Sequence, residues 1–159
     1  MRLTLTSSAF ANGASIPARH TCEGDDVSPP LGWSTGPSGT QSFALIVDDP
    51  DAPDPRAPKG TWTHWVVHSI PVDARALVEN TRENGLPLGA REGLNDWRRV
   101  GYSGPCPPVG RHRYVHTLYA LDTTLTDLGQ PTRAQLLAAM VGHVLAQAEL
   151  VGTYEKHGK

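Results

Sequence analysis

The chain has 159 residues, 38% of them hydrophobic and 19% charged, which is the size and balance of one globular domain built round one core. Lys and Arg number 14 against 16 Asp and Glu, a net charge of −2, so no broad positive field exists to grip a phosphate backbone and a nucleic-acid partner is not expected. The longest apolar runs, Phe43 to Val47 and Leu136 to Val141, fall far short of the roughly 20 residues that span a bilayer, and Met1 to Ser8 lacks the continuous apolar stretch of a secretion signal. No membrane span and a cytoplasmic location are the expectations. Cys22 and Cys106 alone make neither a disulfide scaffold nor a four-thiolate zinc site, and leave open one bridge or two buried thiols. Gly (16) and Pro (14) together exceed the average share of about 12%, so many turns are expected in an ordered fold.

In chain order, Leu3 and Leu5 alternate with polar neighbours as a strand does. Ser42 to Val47 reads as a fully buried strand, and Trp62 to Ile70, rich in aromatic and β-branched residues, as another. Arg113 to Leu121 is a further strand with two faces. Between them, Ser28 to Gly39, Asp49 to Gly60 and Gly101 to Gly110 are Pro/Gly-rich and read as loops. Thr132 with Gln135 forms a capping-box pattern, and Leu136, Leu137, Met140, Val141, Val144, Leu145 and Ala148 fall at helical spacing, which predicts one main helix from Thr132 to Glu149. That stripe is core and implies no cofactor. Leu150 to Tyr154 follows as a short strand, with a loosely ordered tail from Glu155 to Lys159. The fold class is mainly β: an antiparallel β-sandwich with one main helix near the C-terminus, forming a single domain over 1–159.

Three polar clusters sit at strand ends or beside rigid loops, where a sandwich displays binding groups: Asp48 to Pro53, Trp62 to His68, and Gly104 to Tyr114. His64/His68 and His112/His116 are each four apart, which on a strand is about 13 Å, too far for one zinc. Asp48, Asp49 and Asp51 lack the Gly and Glu of a calcium loop, and no metal site is assigned. Asp48 reads as a turn cap beside Pro50 and Pro53, whereas Asp49 and Asp51 are open to either a capping or a pocket role. His68 and His116 read as hydrogen-bonded or surface side chains. Ser103 lacks the G-x-S-x-G elbow, and Cys106 shows no sign of activation, so no catalytic residue is assigned and a buried thiol is the better reading of Cys106. His112 and Tyr114 point the same way on a strand, Arg113 the other. Together with His64 and the stiff Gly104–Gly110 loop, they suit a phosphate or carboxylate. Asp49 and Asp51 would repel that anion unless balanced, by orienting a histidine N–H or by meeting a ligand's ammonium group.

These residues resemble a known family. Asp49-Pro50-Asp51-Ala52-Pro53, Trp62-Thr63-His64-Trp65-Val66-Val67 and Gly104-Pro105-Cys106-Pro107-Pro108 with His112-Arg113-Tyr114 look like the phosphatidylethanolamine-binding proteins, also called Raf kinase inhibitor proteins. Cys22 to Trp33 and Asn95-Asp96-Trp97 are similar to their bacterial YbhB/YbcL-type branch. The resemblance covers about Ile16 to Leu121. It implies a Greek-key β-sandwich with an anion pocket at one end, ligand-binding roles for Asp49, Asp51, His64, Gly104, His112 and Tyr114, and a structural ion pair for Arg113. It also implies a homodimer. The functional expectation is a cofactor-free, non-enzymatic module that binds a small phosphorylated or zwitterionic ligand and modulates a kinase or protease by covering it. The alternative is a metal-independent phosphohydrolase or phosphotransferase using His64 or His112 as acid/base; the absence of an identifiable activated nucleophile favours binding.

Overall fold

The computed structural model describes residues 2–157. The apolar run after Gln41 becomes β3 (Ser42–Asp49), buried on both faces because its two sets of alternating side chains enter two separate cores. It is flanked by β4 (Trp62–Pro71) and β7 (Arg111–Leu121), and the sheet is completed by β6 (Arg91–Glu92) and β8 (Val144–Glu155) in the order β6-β4-β3-β7-β8, every pair antiparallel. A second antiparallel sheet joins β1 (Leu5–Thr6), β2 (Leu31–Trp33) and β5 (Ala76–Leu77). Between the sheets, Leu5, Leu31, Trp33 and Leu77 meet Phe43, Leu45, Trp65, Leu118 and Leu150 in one cluster. On the far face of the larger sheet, Ala44, Ile46, Val66 and Leu121 pack under Leu136 and Met140 of a short helix. This is the expected antiparallel β-sandwich with one main helix. Among the described residues no helix is long and apolar enough to cross a membrane.

Several boundaries differ from the sequence expectation. After a one-turn helix α1 (Thr81–Asn84), the main helix α2 covers only Arg133–Met140. Its start is as expected: the Thr132 hydroxyl accepts from the Gln135 amide and the Gln135 side chain accepts from the Thr132 amide. It stops because Val141 leaves helical dihedrals and Gly142 takes φ 81°. Val144, Leu145 and Ala148, assigned to the helical stripe, therefore stand on β8, whose second half alternates strictly, with Ala148, Leu150, Gly152 and Tyr154 inward. Periods of 3.6 and 2 share positions over so short a run, and the glycine stop decided between them. The expected short strand is the end of this 12-residue strand, which also takes in Glu155; Lys156 and His157 follow it, the His157 amide donating to Glu23, and Gly158 and Lys159 lie outside the described residues. The Ser28–Gly39 segment, expected to be loop throughout, contains β2, which pairs with β1 on one side and β5 on the other. Cys106 is not a buried thiol. It is exposed and bonded to Cys22.

His116 lies inside the main core beside Phe10, with ring centroids 5.6 Å apart, and its Nδ1 donates to the Tyr114 carbonyl at 3.1 Å. Burial pushes its pKa down to about 4. The unfolded chain therefore binds a proton that the folded chain refuses between about pH 6.5 and 4, and stability falls as pH falls through that window. In urea titrations at pH 6.5 and pH 4, the His116→Gln variant is expected to lose roughly 3 kcal/mol less than the parent between the two pH values, while the carboxyl groups act alike in both. Equal losses would contradict a neutral buried His116.

Candidate functional site

Because β4, β3 and β7 are neighbours, the start of β4, the end of β3 and the start of β7 come together at one end of the sheet, with Asp49 opposite Trp62 and Asp48 opposite Val115. A cleft of about 230 Å³ opens there. Its walls include Asp49, His64, His112 and Tyr114 from the expected set, together with Ala52, Pro53, Trp62, Trp97, Cys106, Pro107 and Pro108.

His64 reaches the cleft through a bulge. Between the pairs Val47–Trp65 and Asp48–Thr63, β3 advances by one residue and β4 by two, so His64 is the extra residue and is released from strict alternation. Its Nδ1 donates to the Ser103 carbonyl at 2.7 Å, leaving Nε2 as the lone-pair side of the neutral ring. Burial holds its pKa down at about 4, so at neutral pH this histidine is an acceptor toward a ligand, not the donor its residue type implied. It packs edge-on against Tyr114 and Trp97, at 5.2 and 4.9 Å between centroids.

Tyr114 follows period 2 from His112, and the two rings stack at 6.3 Å. The Tyr114 hydroxyl is enclosed and has no hydrogen-bond partner among the described residues. Burial, then the charge on Asp49, raises its pKa far above the phenolic range, so it stays protonated and available as a donor. His112 is already engaged at both nitrogens, Nδ1 with Asp49 Oδ2 at 2.5 Å and Nε2 with the Val109 carbonyl at 2.9 Å. Both ring nitrogens therefore face acceptors, the Asp49 carboxylate and the Val109 carbonyl. His112 thus balances the acid and stands as a wall.

The two aspartates part company. Asp49 lines the cleft, with its Oδ1 accepting from the Asp51 amide in the turn that Asp48 was expected to cap. Burial raises its pKa against the opposing pull of His112. Asp48 instead accepts from the Thr63 hydroxyl and from Arg133 of α2. Asp51 does not line the cleft. It is gripped by Arg113, through Nε at 3.0 Å, Nη2 at 2.9 Å and the backbone amide at 2.9 Å, which holds its pKa below the carboxylate range. Arg113 is the structural ion-pair partner that was expected.

Gly104 likewise stands behind the wall. Its amide donates to Asp26 Oδ1 at 2.8 Å, and a Cβ there would lie 2.2 Å from the His20 carbonyl oxygen. It braces the loop whose Cys106, Pro107 and Pro108 face the cleft, and the Cys22–Cys106 bridge ties the same loop to the Thr21–Asp26 segment. Trp97 is presented by a tight turn in which Asn95 Oδ1 accepts from the amides of Trp97 and Arg99, and Asp96 Oδ2 accepts from the Thr63 amide. Trp62 and Trp97 meet edge-on at 5.4 Å and remain partly exposed at the rim. Neither tryptophan is among the site residues expected from the sequence, where the one signal for them is a large aromatic side chain on a polar segment.

The family model described as phosphatidylethanolamine-binding protein matches residues 6–155. A UPF0098 protein of Methanothermobacter thermautotrophicus is 46% identical over 155 residues, covering 97% of this chain and 99% of that protein. Among solved structures, a putative phosphatidylethanolamine-binding protein homolog from Chlamydia trachomatis superposes with a TM-score of 0.87 at 44% identity, covering 98% of both chains. YbcL of E. coli, described as a member of the mammalian family, gives 0.87 at 34% identity over 98% of this chain and 99% of that one.

Gly104→Ala is expected to destabilise the protein by roughly 2–4 kcal/mol, because backbone rather than a flexible side chain must move to admit the methyl group. A thermal melt within a degree or two of the parent would show that the loop is not braced there.

Proposed function

Since this chain belongs to the phosphatidylethanolamine-binding protein family, in its YbhB/YbcL-type branch, we propose that the cleft captures a small phosphoryl group, alone or as part of a zwitterion such as phosphoethanolamine. The observation that carries this reading is the Tyr114 hydroxyl, enclosed at the cleft and unpartnered. A buried donor without an acceptor costs about 1–3 kcal/mol, and a ligand oxygen would recover it. His64 Nε2 asks for the opposite, a ligand that donates. A monoprotonated phosphoryl group supplies both, an anionic oxygen to Tyr114 and a P–OH to His64. The nearby carboxylates each have a partner of their own, Asp49 in His112 and Asp51 in Arg113, which limits their repulsion of its charge.

The reading is of binding rather than catalysis. The Cys106 sulfur is tied in the bridge, and the Ser103 hydroxyl accepts from Asn95 Nδ2, so neither is set as a nucleophile beside His64. A homodimer and a kinase or protease partner belong to the same reading through family membership, with Trp62 and Trp97 as the apolar rim such a partner would meet. The exposed Cys22–Cys106 bridge favours oxidising surroundings over the cytoplasmic location read from the first residues.

Calorimetric titration with phosphate and phosphoethanolamine tests the site. Tyr114→Phe is expected to weaken binding by about 1–2 kcal/mol while leaving the unliganded protein as stable as the parent or more so, since an unsatisfied polar atom is removed. Asp51→Asn should cost stability and leave affinity nearly unchanged, and His157→Ala should do neither. Absence of binding by the parent, or equal binding by Tyr114→Phe, would sink the proposal.

A further inference from the structure

His64 stands where the strand ladder does not hold it. As the extra residue of the bulge it has no partner in the β3–β4 register, and its backbone carbonyl accepts from the Ser103 amide at 3.1 Å instead. The ring is held by the same residue, through the 2.7 Å bond from Nδ1 to the Ser103 carbonyl, and by Trp97, edge-on at 4.9 Å. Just before it, Thr63 exchanges two bonds with Asp96: the Thr63 amide donates to Oδ2 at 2.7 Å, and the Asp96 amide donates to the Thr63 carbonyl at 2.9 Å. These holds all come from one stretch of chain, residues 96–103.

That stretch is organised by Asn95, which is 3% exposed and is not among the residues lining the cleft. A carboxamide can make four hydrogen bonds, and Asn95 makes all four. Oδ1 accepts from the amides of Trp97 at 2.9 Å and Arg99 at 3.2 Å, and Nδ2 donates to the Gly101 carbonyl at 3.1 Å and to the Ser103 hydroxyl at 3.2 Å. Its orientation is fixed, because backbone N–H groups only donate and a carbonyl only accepts. One end of the side chain therefore sets the residue that packs on the His64 ring. The other sets the residue whose carbonyl takes the ring's proton.

No smaller or charged side chain serves both ends. Aspartate keeps the acceptor but, ionised, has no donor, and sets a carboxylate against the Gly101 carbonyl. Once Ser103 shifts, Nδ1 loses its acceptor, and the neutral ring is free to carry its proton on Nε2 instead. The nitrogen that was an acceptor then becomes a donor.

We propose that Asn95 is a positioning residue of the cleft: without touching a ligand, it holds Ser103 and Trp97 in the arrangement that fixes the proton of His64 on Nδ1.

The test reads the His64 ring nitrogens by NMR at pH 7 in the parent, in Asn95→Asp and in Ser103→Ala, with calorimetric titration of each by inorganic phosphate. The parent is expected to show one neutral tautomer, protonated at Nδ1. Asn95→Asp is expected to add the tautomer protonated at Nε2 and to weaken phosphate binding at least about fivefold. Ser103→Ala, which removes one of the two Nδ2 bonds, should change both in the same direction and by less. Leu136→Ala, buried under α2 on the far face of the sheet, should lose stability and change neither. Only the affinity measurement rests on the phosphoryl reading of the cleft. A parent that binds no phosphate would remove that reading and leave the tautomers to decide. A parent ring protonated at Nε2, an Asn95→Asp ring protonated at Nδ1 alone, or a tautomer change in Leu136→Ala would each overturn the proposal. Should Asn95→Asp not fold, Ser103→Ala decides by the same tautomer signal.

Discussion

The pairing of β3 with both of its neighbours is the constraint on which the cleft depends. Asp48 is opposite Thr63 on one side and Val115 on the other, so Asp49, His64, His112 and Tyr114 converge only while both registers hold. A slip of one residue against β7 would turn His112 and Tyr114 to the opposite face. The register is specified twice over, because Phe43, Leu45 and Val47 enter the core between the sheets while Ala44 and Ile46 enter the one under α2. At roughly 1.5–3 kcal/mol for each large side chain buried, a slipped strand would forfeit far more than any polar contact in the cleft could restore. The site inherits its geometry from the hydrophobic cores.

Charge is settled locally. The run Asp48, Asp49, Asp51 looks acidic, yet each carboxylate meets its own partner: Arg133 from α2, His112 and Arg113. These pairs lie at different depths, which explains why neighbouring aspartates shift in opposite directions. Asp49 is taken out of water more than its partners compensate, whereas Asp51 faces a bidentate guanidinium and is lowered. What remains is a small complementary pair, one phenolic donor and one imidazole acceptor, in a cleft whose other walls include Trp62, Trp97, three prolines and the paired Asp49.

The parts of this arrangement that the sequence revealed are those with a local cause. The period of 2 placed His112 and Tyr114 on one face, the apolar run placed β3 inside, and the Thr132–Gln135 pattern placed the start of α2. The parts it concealed depend on partners far away in the chain. The bulge at His64 has no marker in Trp62 to Pro71, since it is a mismatch of length against β3. The choice of Arg113 for Asp51, of Asp26 for Gly104 and of Cys22 for Cys106 is a matter of which loops meet, and residue type alone cannot choose. The direction of His64 could not be inferred either: imidazole is donor or acceptor according to what holds its other nitrogen, and here that is the Ser103 carbonyl, 39 positions away.

The Gly104–Gly110 wall of the cleft is loop rather than strand ladder, and it is held by several unlike ties. The Ser103 amide donates to the His64 carbonyl, the Cys22 amide to the Pro105 carbonyl, and the Gly104 amide to Asp26. The disulfide joins positions 84 apart and acts mainly on the unfolded chain, where closing so long a loop removes entropy equivalent to roughly 4–5 kcal/mol in the chain-entropy view. The hydrogen bonds act on the folded chain and set where the wall stands. These two contributions are separable in principle: breaking the bridge withdraws a constraint from the unfolded ensemble while three backbone donors still point the loop at the cleft. Stability of the fold and position of the wall therefore answer to different bonds, although both run through the same two segments.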